Sequence, residues 1–315
     1  MNNTRLRKHA GARPLVLASI LLASLVQPAA WPSEAWPTDM AVLEQAFPGL
    51  SSGPLRAAVL VDMPDGLLLK SGAVEIRRAE IMDIVDPVGS ELRAQLDDNL
   101  FFLLEHKAIG KLLLVQARKS MPIDENLSDE EAVKRYLIQV VKGISVSEAE
   151  MKAYYESNRE MLGGALFEQV QSGIRDLLTE KKRQEAADDY LRNLGREIII
   201  EIDRTWVAEQ YGRAMNNPVD QARKSGLATM VEFGATGCIP CDMMQPILDR
   251  LKKQYGGRLN IVFVHVRKNQ ILGARYGIRA IPVQVFFDGR GKEFFRHEGF
   301  FAEEKIKATL AKMGL

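Results

Sequence analysis

Apolar positions return along this chain with two different periods, and the change between them divides it. From Ser90 to Lys119 the residues Leu92, Leu96, Leu100, Leu103, Leu104, Ile109, Leu112 and Leu113 recur every three or four positions without a proline. That spacing predicts one long amphipathic helix, or two broken near Gly110, ended by Pro122. Ser128-Asp129-Glu130-Glu131 and Ser147-Glu148-Ala149-Glu150 each set Glu three residues after Ser, the reciprocal cap that starts a helix. Gly163-Gly164 breaks the second of these, and Leu166, Val170, Ile174, Leu177, Leu178, Leu191 and Leu194 line a further long helix. Around this helical block lie short apolar runs: strands are expected at Leu55 to Val61, Leu67 to Lys70, Ala73 to Ile76 and Ile198 to Ile202. Thr205 to Asn217 reads as a connecting helix and linker that closes on the turn signal Asn216-Asn217-Pro218.

Beyond that turn the elements alternate. A short helix at Val219 to Ser225 and a stop at Gly226 precede a buried strand at Leu227 to Phe233, and a loop then carries Cys238 and Cys241. A helix to Tyr255, a strand Asn260 to Val266, a helix Gln270 to Tyr276, a strand Val283 to Phe287, a turn at Gly289-Arg290-Gly291, a strand Glu293 to His297 and a helix Ala302 to Met313 complete the pattern. The expected architecture is multidomain, a mainly α-helical part followed by an α/β part with a mixed sheet between helices.

Composition adds an address. The chain has 315 residues, 46% apolar and 26% charged, enough for two soluble globular parts. Arg5, Arg7, Lys8 and Arg13 precede the apolar run Leu15 to Val26, followed by Pro28 and small residues, the layout of a secretory signal peptide. The run is short of the roughly 20 residues a spanning helix needs, and Ser33-Glu34-Ala35 offers a cleavage site. The expectation is a periplasmic protein with a signal peptide over 1–35; an uncleaved inner-membrane anchor facing the periplasm is the alternative. A Pro-, Gly- and Ser-rich lead-in spans 36–54, a helical domain 55–203, a linker 204–217 and a second domain 218–315. Lys, Arg, Asp and Glu sum to −9 over residues 36–215 and to +7 over 216–315. This asymmetry suits halves that attract each other or that face oppositely charged clients, with plain compositional drift as the equal alternative.

The candidate chemistry sits in Gly237-Cys238-Ile239-Pro240-Cys241-Asp242, which holds the chain's only two cysteines one helical turn apart. At a helix start the first sulfur meets unsatisfied N–H groups and the positive end of the dipole, and both favour thiolate. A purely structural disulfide here closes too small a loop to stabilise much. A zinc site needs about four ligands, and the histidines at 9, 106, 265 and 297 are scattered. No metal and no cofactor are expected.

Val231-Glu232-Phe233, Cys238-Ile239-Pro240-Cys241, Pro246-Ile247-Leu248, Tyr276-Gly277-Ile278-Arg279-Ala280-Ile281-Pro282 and Gly299, in this order of elements, resemble the thioredoxin family over about 218–315. The resemblance implies the thioredoxin fold and a redox disulfide Cys238–Cys241, with Cys238 as nucleophile and Cys241 as resolving thiol. It also implies a cis peptide at Pro282, Glu232 as a proton shuttle, and client contacts at Ile281, Ile239 and Pro240. The departures are Gly234 and Gly237, where thioredoxin has tryptophans, and Phe263, where it has the lysine that pairs with the buried acid. Without that lysine, desolvation raises the pKa of Glu232. Asp242 disfavours thiolate and points to a reducing couple.

Ile144-Ser145-Val146-Ser147, Tyr154-Tyr155-Glu156-Ser157-Asn158, Phe167-Glu168-Gln169-Val170 and Leu194-Gly195-Arg196-Glu197-Ile198 resemble the helical domain of SurA-type periplasmic chaperones over about 55–203. This implies a client-binding module; no parvulin domain follows, so prolyl isomerase activity is not implied. The expected function is exported thiol–disulfide exchange on cysteine-containing clients, fed by a membrane or periplasmic redox partner and without nucleic acid. The alternative is a holdase chaperone with a redox-sensing module, and both a homodimer and the direction of electron flow stay open.

Overall fold

The computed structural model describes residues 41–120, 127–159 and 162–315. The expected signal peptide, 1–35, and the first residues of the lead-in lie outside the described residues. The chain runs α1 (Leu43–Ala46), a 3-10 turn (Pro54–Ala57), β1 (Val59–Val61), β2 (Leu67–Ser71), β3 (Val74–Arg77), α2 (Arg78–Val85), α3 (Ser90–Asp97) and α4 (Leu100–Ser120). Next come α5 (Asp129–Val140), α6 (Glu148–Ser157), α7 (Phe167–Glu197), β4 (Glu201–Asp203) and α8 (Arg204–Ala214). The remainder is α9 (Pro218–Arg223), β5 (Ala228–Gly234), α10 (Ile239–Gln254), β6 (Leu259–His265), α11 (Gln270–Arg275), β7 (Val283–Phe287), β8 (Glu293–Glu298) and α12 (Glu303–Lys312).

Local chemistry explains most of these limits. Ser128 accepts from the Glu131 N–H at 3.2 Å and Ser147 from that of Glu150 at 3.3 Å. Glu150 returns the favour to the Ser147 N–H at 2.9 Å, completing the cap. The expected helix from Ser90 to Lys119 is two helices, but the break falls at Asp98 and Asn99, not at Gly110. The Asn99 amide donates to the Gln95 carbonyl at 2.7 Å and so closes α3, whereas Gly110 sits inside α4 with neighbours on both sides holding the turn. The expected strand from Leu55 is shorter because Pro54 opens a 3-10 turn there, and only Val59–Val61 pairs. Helix α2 was not anticipated; Glu80 accepts from the Arg77 N–H at 3.0 Å, half of a capping box without its serine.

Two four-stranded mixed sheets organise the two halves, in the orders β1-β4-β2-β3 and β6-β5-β7-β8. In the first, β4 runs parallel to β1 and antiparallel to β2. A strand that follows the whole helical block thus closes the sheet begun before it. Leu55, Leu60, Leu69, Ile76, Phe101, Leu104 and Ile202 fill the core beneath. The segment read as a connection, 204–217, is mostly α8, capped by Asp203, whose carboxylate accepts from the Trp206 N–H at 2.7 Å. Its Trp206, Val207 and Ala214 are buried in that same core.

In the second sheet β5 is parallel to β6 and antiparallel to β7, which pairs with β8. Residues 229–234 and 283–287 are buried without alternation, as strands covered on both faces must be. Met230, Met244, Leu248, Phe286, Ile306 and Leu310 form the core on the α10 and α12 side. Val219, Val231, Phe233, Val264, Val285 and Phe287 form the core on the other side.

The halves belong to one contact unit, Met40–Leu315, and a buried polar node joins them. Asp220 is fully buried. It accepts from the Asn217 amide at 2.6 Å, Arg223 at 2.9 Å, Arg275 at 3.3 Å and the Tyr276 hydroxyl at 2.6 Å. Arg275 reaches back to the Ala214 carbonyl at 2.7 Å and to the Asn99 side chain at 3.2 Å. Asp220 and Arg275 thus tie α9 and α11 to the end of α8 and to the turn between α3 and α4.

Candidate functional site

The site forms where β5 ends and α10 begins. Gly237 takes φ 75°, a left-handed turn that a side chain rarely adopts, and this brings Cys238 to the N-cap of α10. Pro240, within the first turn, needs no N–H there. Cys238 is half-buried, Cys241 is buried and Ile239 is exposed. The two sulfurs are joined as a disulfide across Cα atoms 5.2 Å apart. The loop before β7 comes alongside them: the Ile281–Pro282 peptide is cis, and the Ile281 carbonyl lies 4.0 Å from the Cys238 sulfur. Cys238, Ile239, Pro240 and Ile281 thus belong to one small surface, with Cys241 and Pro282 buried directly beneath it.

Glu232 stands behind this surface. It shares a face of β5 with Gly234, two residues on, and a Cβ built at Gly234 would lie 3.4 Å from the Cys241 sulfur. The carboxyl is wholly buried, and neither oxygen has a hydrogen-bond partner. Burial pushes its pKa up to about 8, and the nearby Gln284 amide, which stands outside hydrogen-bond geometry, offsets this only in part. The absence of a lysine is structural fact here: Phe263 is the register partner of Glu232 on β6. Its ring also explains Gly234, since a Cβ there would sit 3.1 Å from Phe263 Cε2.

His265 escaped the sequence reading, which set all the histidines aside. It ends β6, and its Nε2 accepts from the Thr236 N–H at 3.3 Å, two residues before Cys238. The other ring nitrogen, Nδ1, is buried and without a partner. Nothing in the local sequence marks this contact, because it depends on the parallel pairing of Gly234 with His265. Among the described residues no group of three or more His, Cys, Asp or Glu side chains is placed to hold a metal ion. No helix among them is long and apolar enough to cross a membrane.

The thioredoxin family model matches residues 212–312. Thioredoxin 1 of Nostoc sp. is 37% identical over 88 residues, which are 28% of this chain and 81% of that protein. Thioredoxin of Synechocystis sp. is 33% identical over 88 residues with the same shares, and that of Rickettsia felis 33% identical over 84 residues, 25% and 80% of the two chains. Among solved structures, a mutant thioredoxin from Halobacterium salinarum is 25% identical, covers 30% of this chain and 81% of its own, and superposes with a TM-score of 0.28.

Proposed function

The chain belongs to the thioredoxin family through residues 212–312, and from that premise we propose that it carries out thiol–disulfide exchange through Cys238 and Cys241 on exported client proteins. Membership of the family implies thiol–disulfide oxidoreductase chemistry. The observation that carries the assignment to these residues is a half-buried Cys238 at the start of α10, bonded to a buried Cys241 and faced by the Ile281 carbonyl.

In the reducing direction Cys238 attacks a client disulfide as the thiolate, favoured by the N–H groups and dipole of α10. One client sulfur leaves and takes a proton, and the other stays bonded to Cys238. Cys241 then gives its proton to the Glu232 carboxylate and attacks the Cys238 sulfur; the client thiolate leaves, and the Cys238–Cys241 bond forms. An extended client segment pairs with the backbone at Ile281, whose carbonyl lies beside the Cys238 sulfur, while Ile239 and Pro240 offer apolar contact. The reverse sequence forms client disulfides, and the identity of the membrane or periplasmic electron partner sets the direction.

The basic and apolar start of the sequence supports export to the periplasm. The likeness to SurA-type helical domains, together with the exposed Ile138, Leu166 and Leu177 on α5, at the entry to α7 and on α7, supports client holding by the helical half. Those same exposed side chains favour a second reading, a holdase in which the cysteines sense redox state. Insulin reduction by the dithiol-treated protein tests the first reading: wild type precipitates insulin chains, Cys238→Ser does not, and Cys241→Ala accumulates mixed disulfides. Absence of exchange by wild type, with suppression of client aggregation retained, would leave the holdase reading standing.

A further inference from the structure

A row of four side chains crosses the second sheet directly behind the sulfurs. Register pairing sets Phe263, Glu232, Gln284 and His297 side by side on β6, β5, β7 and β8. Directly paired residues share a face, so all four point toward α10 and α12. Gln284, like Glu232, is wholly buried, and neither its amide nitrogen nor its amide oxygen has a partner. Nothing in the thiol chemistry described above uses it.

The surroundings leave these two groups to each other. Phe263 bounds Glu232 on the β6 side. Met230 and Phe286, one pair further along the two strands, are apolar core, and Gly234 in the other direction has no side chain. On the face that Glu232 shares, the neighbouring strands carry the titratable side chains His265 at the end of β6 and His297 on β8, and α10 presents Cys241 beside Gly234. His265 is engaged with Thr236, and His297 lies beyond Gln284, with its Nε2 directed to the Phe300 carbonyl at 3.1 Å and its ring stacked on Phe301. Neither histidine is hydrogen-bonded to Glu232. Opposed residues in an antiparallel pair have Cβ atoms about 4.5–5.5 Å apart, so the side chains of Glu232 and Gln284 lie within each other's reach. Buried polar atoms without partners are costly, and an amide meets either state of a carboxyl: its N–H donates to the carboxylate, its oxygen accepts from the acid.

We propose that Gln284 is the positioning residue for Glu232 in thiol–disulfide exchange, closing a hydrogen bond to the carboxyl as the proton moves between Glu232 and Cys241. The inference rests on the exchange reading above. By donating to the carboxylate, Gln284 makes Glu232 a base available nearer neutral pH than an apolar pocket alone allows. An aliphatic side chain in its place leaves the charged form without a donor.

The experiment is the pH dependence of single-turnover disulfide reduction, run beside a 13C titration of the Glu232 carboxyl in the oxidised protein. Gln284→Leu is expected to raise both midpoints by about one pH unit, the size of one hydrogen bond to a charged group. Gln284→Asn, which keeps a shorter amide, is expected to fall between Gln284→Leu and wild type. In a Glu232→Gln background Gln284→Leu should leave the profile where it was. Should the leucine variant not fold, Gln284→Met supplies the same comparison. If wild type exchanges disulfides and the aliphatic variants keep its midpoints, Gln284 is core filler and the inference fails; if wild type shows no exchange, the functional reading itself fails, and the carboxyl titration still decides whether Gln284 acts on Glu232.

Discussion

Glu232 makes the protein's stability depend on pH in a way that one substitution should remove. The folded protein holds the proton on this carboxyl to about pH 8, whereas the ordinary value is 4.5. Folded molecules therefore keep a proton that the unfolded chain gives up above pH 4.5. The carboxyl's contribution is whole below that pH, is lost as pH rises through 8, and changes no further beyond. Each pH unit in the interval is worth 1.36 kcal/mol, so the full loss is about 5 kcal/mol. A glutamine of the same shape never titrates. Glu232→Gln should match wild type near pH 4.5 and exceed it by about 5 kcal/mol at pH 8.5, moving the urea midpoint up by about 2 M. Unfolding of the oxidised proteins followed by far-UV circular dichroism across pH 4.5–9 measures the difference directly. Glu105, also buried and held above its ordinary range by desolvation, titrates in both proteins and cancels. A difference that stays constant across the interval would refute the reasoning, since it would mean that the carboxyl reaches water in the folded state.

Three further outcomes follow from packing and capping. Asp220→Ala removes the acceptor shared by Arg275, Arg223 and the Tyr276 hydroxyl and should cost about 3–5 kcal/mol in urea unfolding, as breaking a buried ion pair does. Gly195→Ala drives a Cβ into the Pro54 carbonyl oxygen, a backbone atom that cannot swing aside; the end of α7 must shift, and a loss of about 1–3 kcal/mol should appear as a lowered melting temperature. Ser147→Ala strips the cap of α6 and should cost about 1 kcal/mol, read in the same melts.

What the sequence discloses about this molecule tracks how local the cause is. The cysteine loop reads directly because its parts are contiguous: Gly237 for the left-handed turn, Cys238 at the cap, Pro240 in the first turn, Cys241 one turn on. The serine caps at 128 and 147 are legible for the same reason. The break between α3 and α4 was misplaced because a glycine in a helix is only a weak interruption, while the side chain of Asn99 actively competes for a carbonyl. Gln284 and His265 were invisible, since each matters only once strand register brings it beside Glu232 or Thr236. The Asp220 node assembles residues 99, 214, 217, 220, 223, 275 and 276, and no period or spacing links these positions.

The placement of Trp206 has an optical consequence. It is the one tryptophan among the described residues and lies in the core of the helical half, while the positions flanking the sulfurs, Gly234 and Gly237, carry no indole. With Trp31 and Trp36, which lie outside the described residues, replaced by phenylalanine, indole emission becomes a private signal of the helical half. If the Asp220 node binds the halves into one cooperative unit, the emission change on denaturation will coincide with exposure of the buried Cys241 to alkylation in the reduced protein. When Asp220→Ala is added to that background the two curves should separate, so Trp206 emission, read beside a thiol probe, measures how tightly the redox half is held to its scaffold.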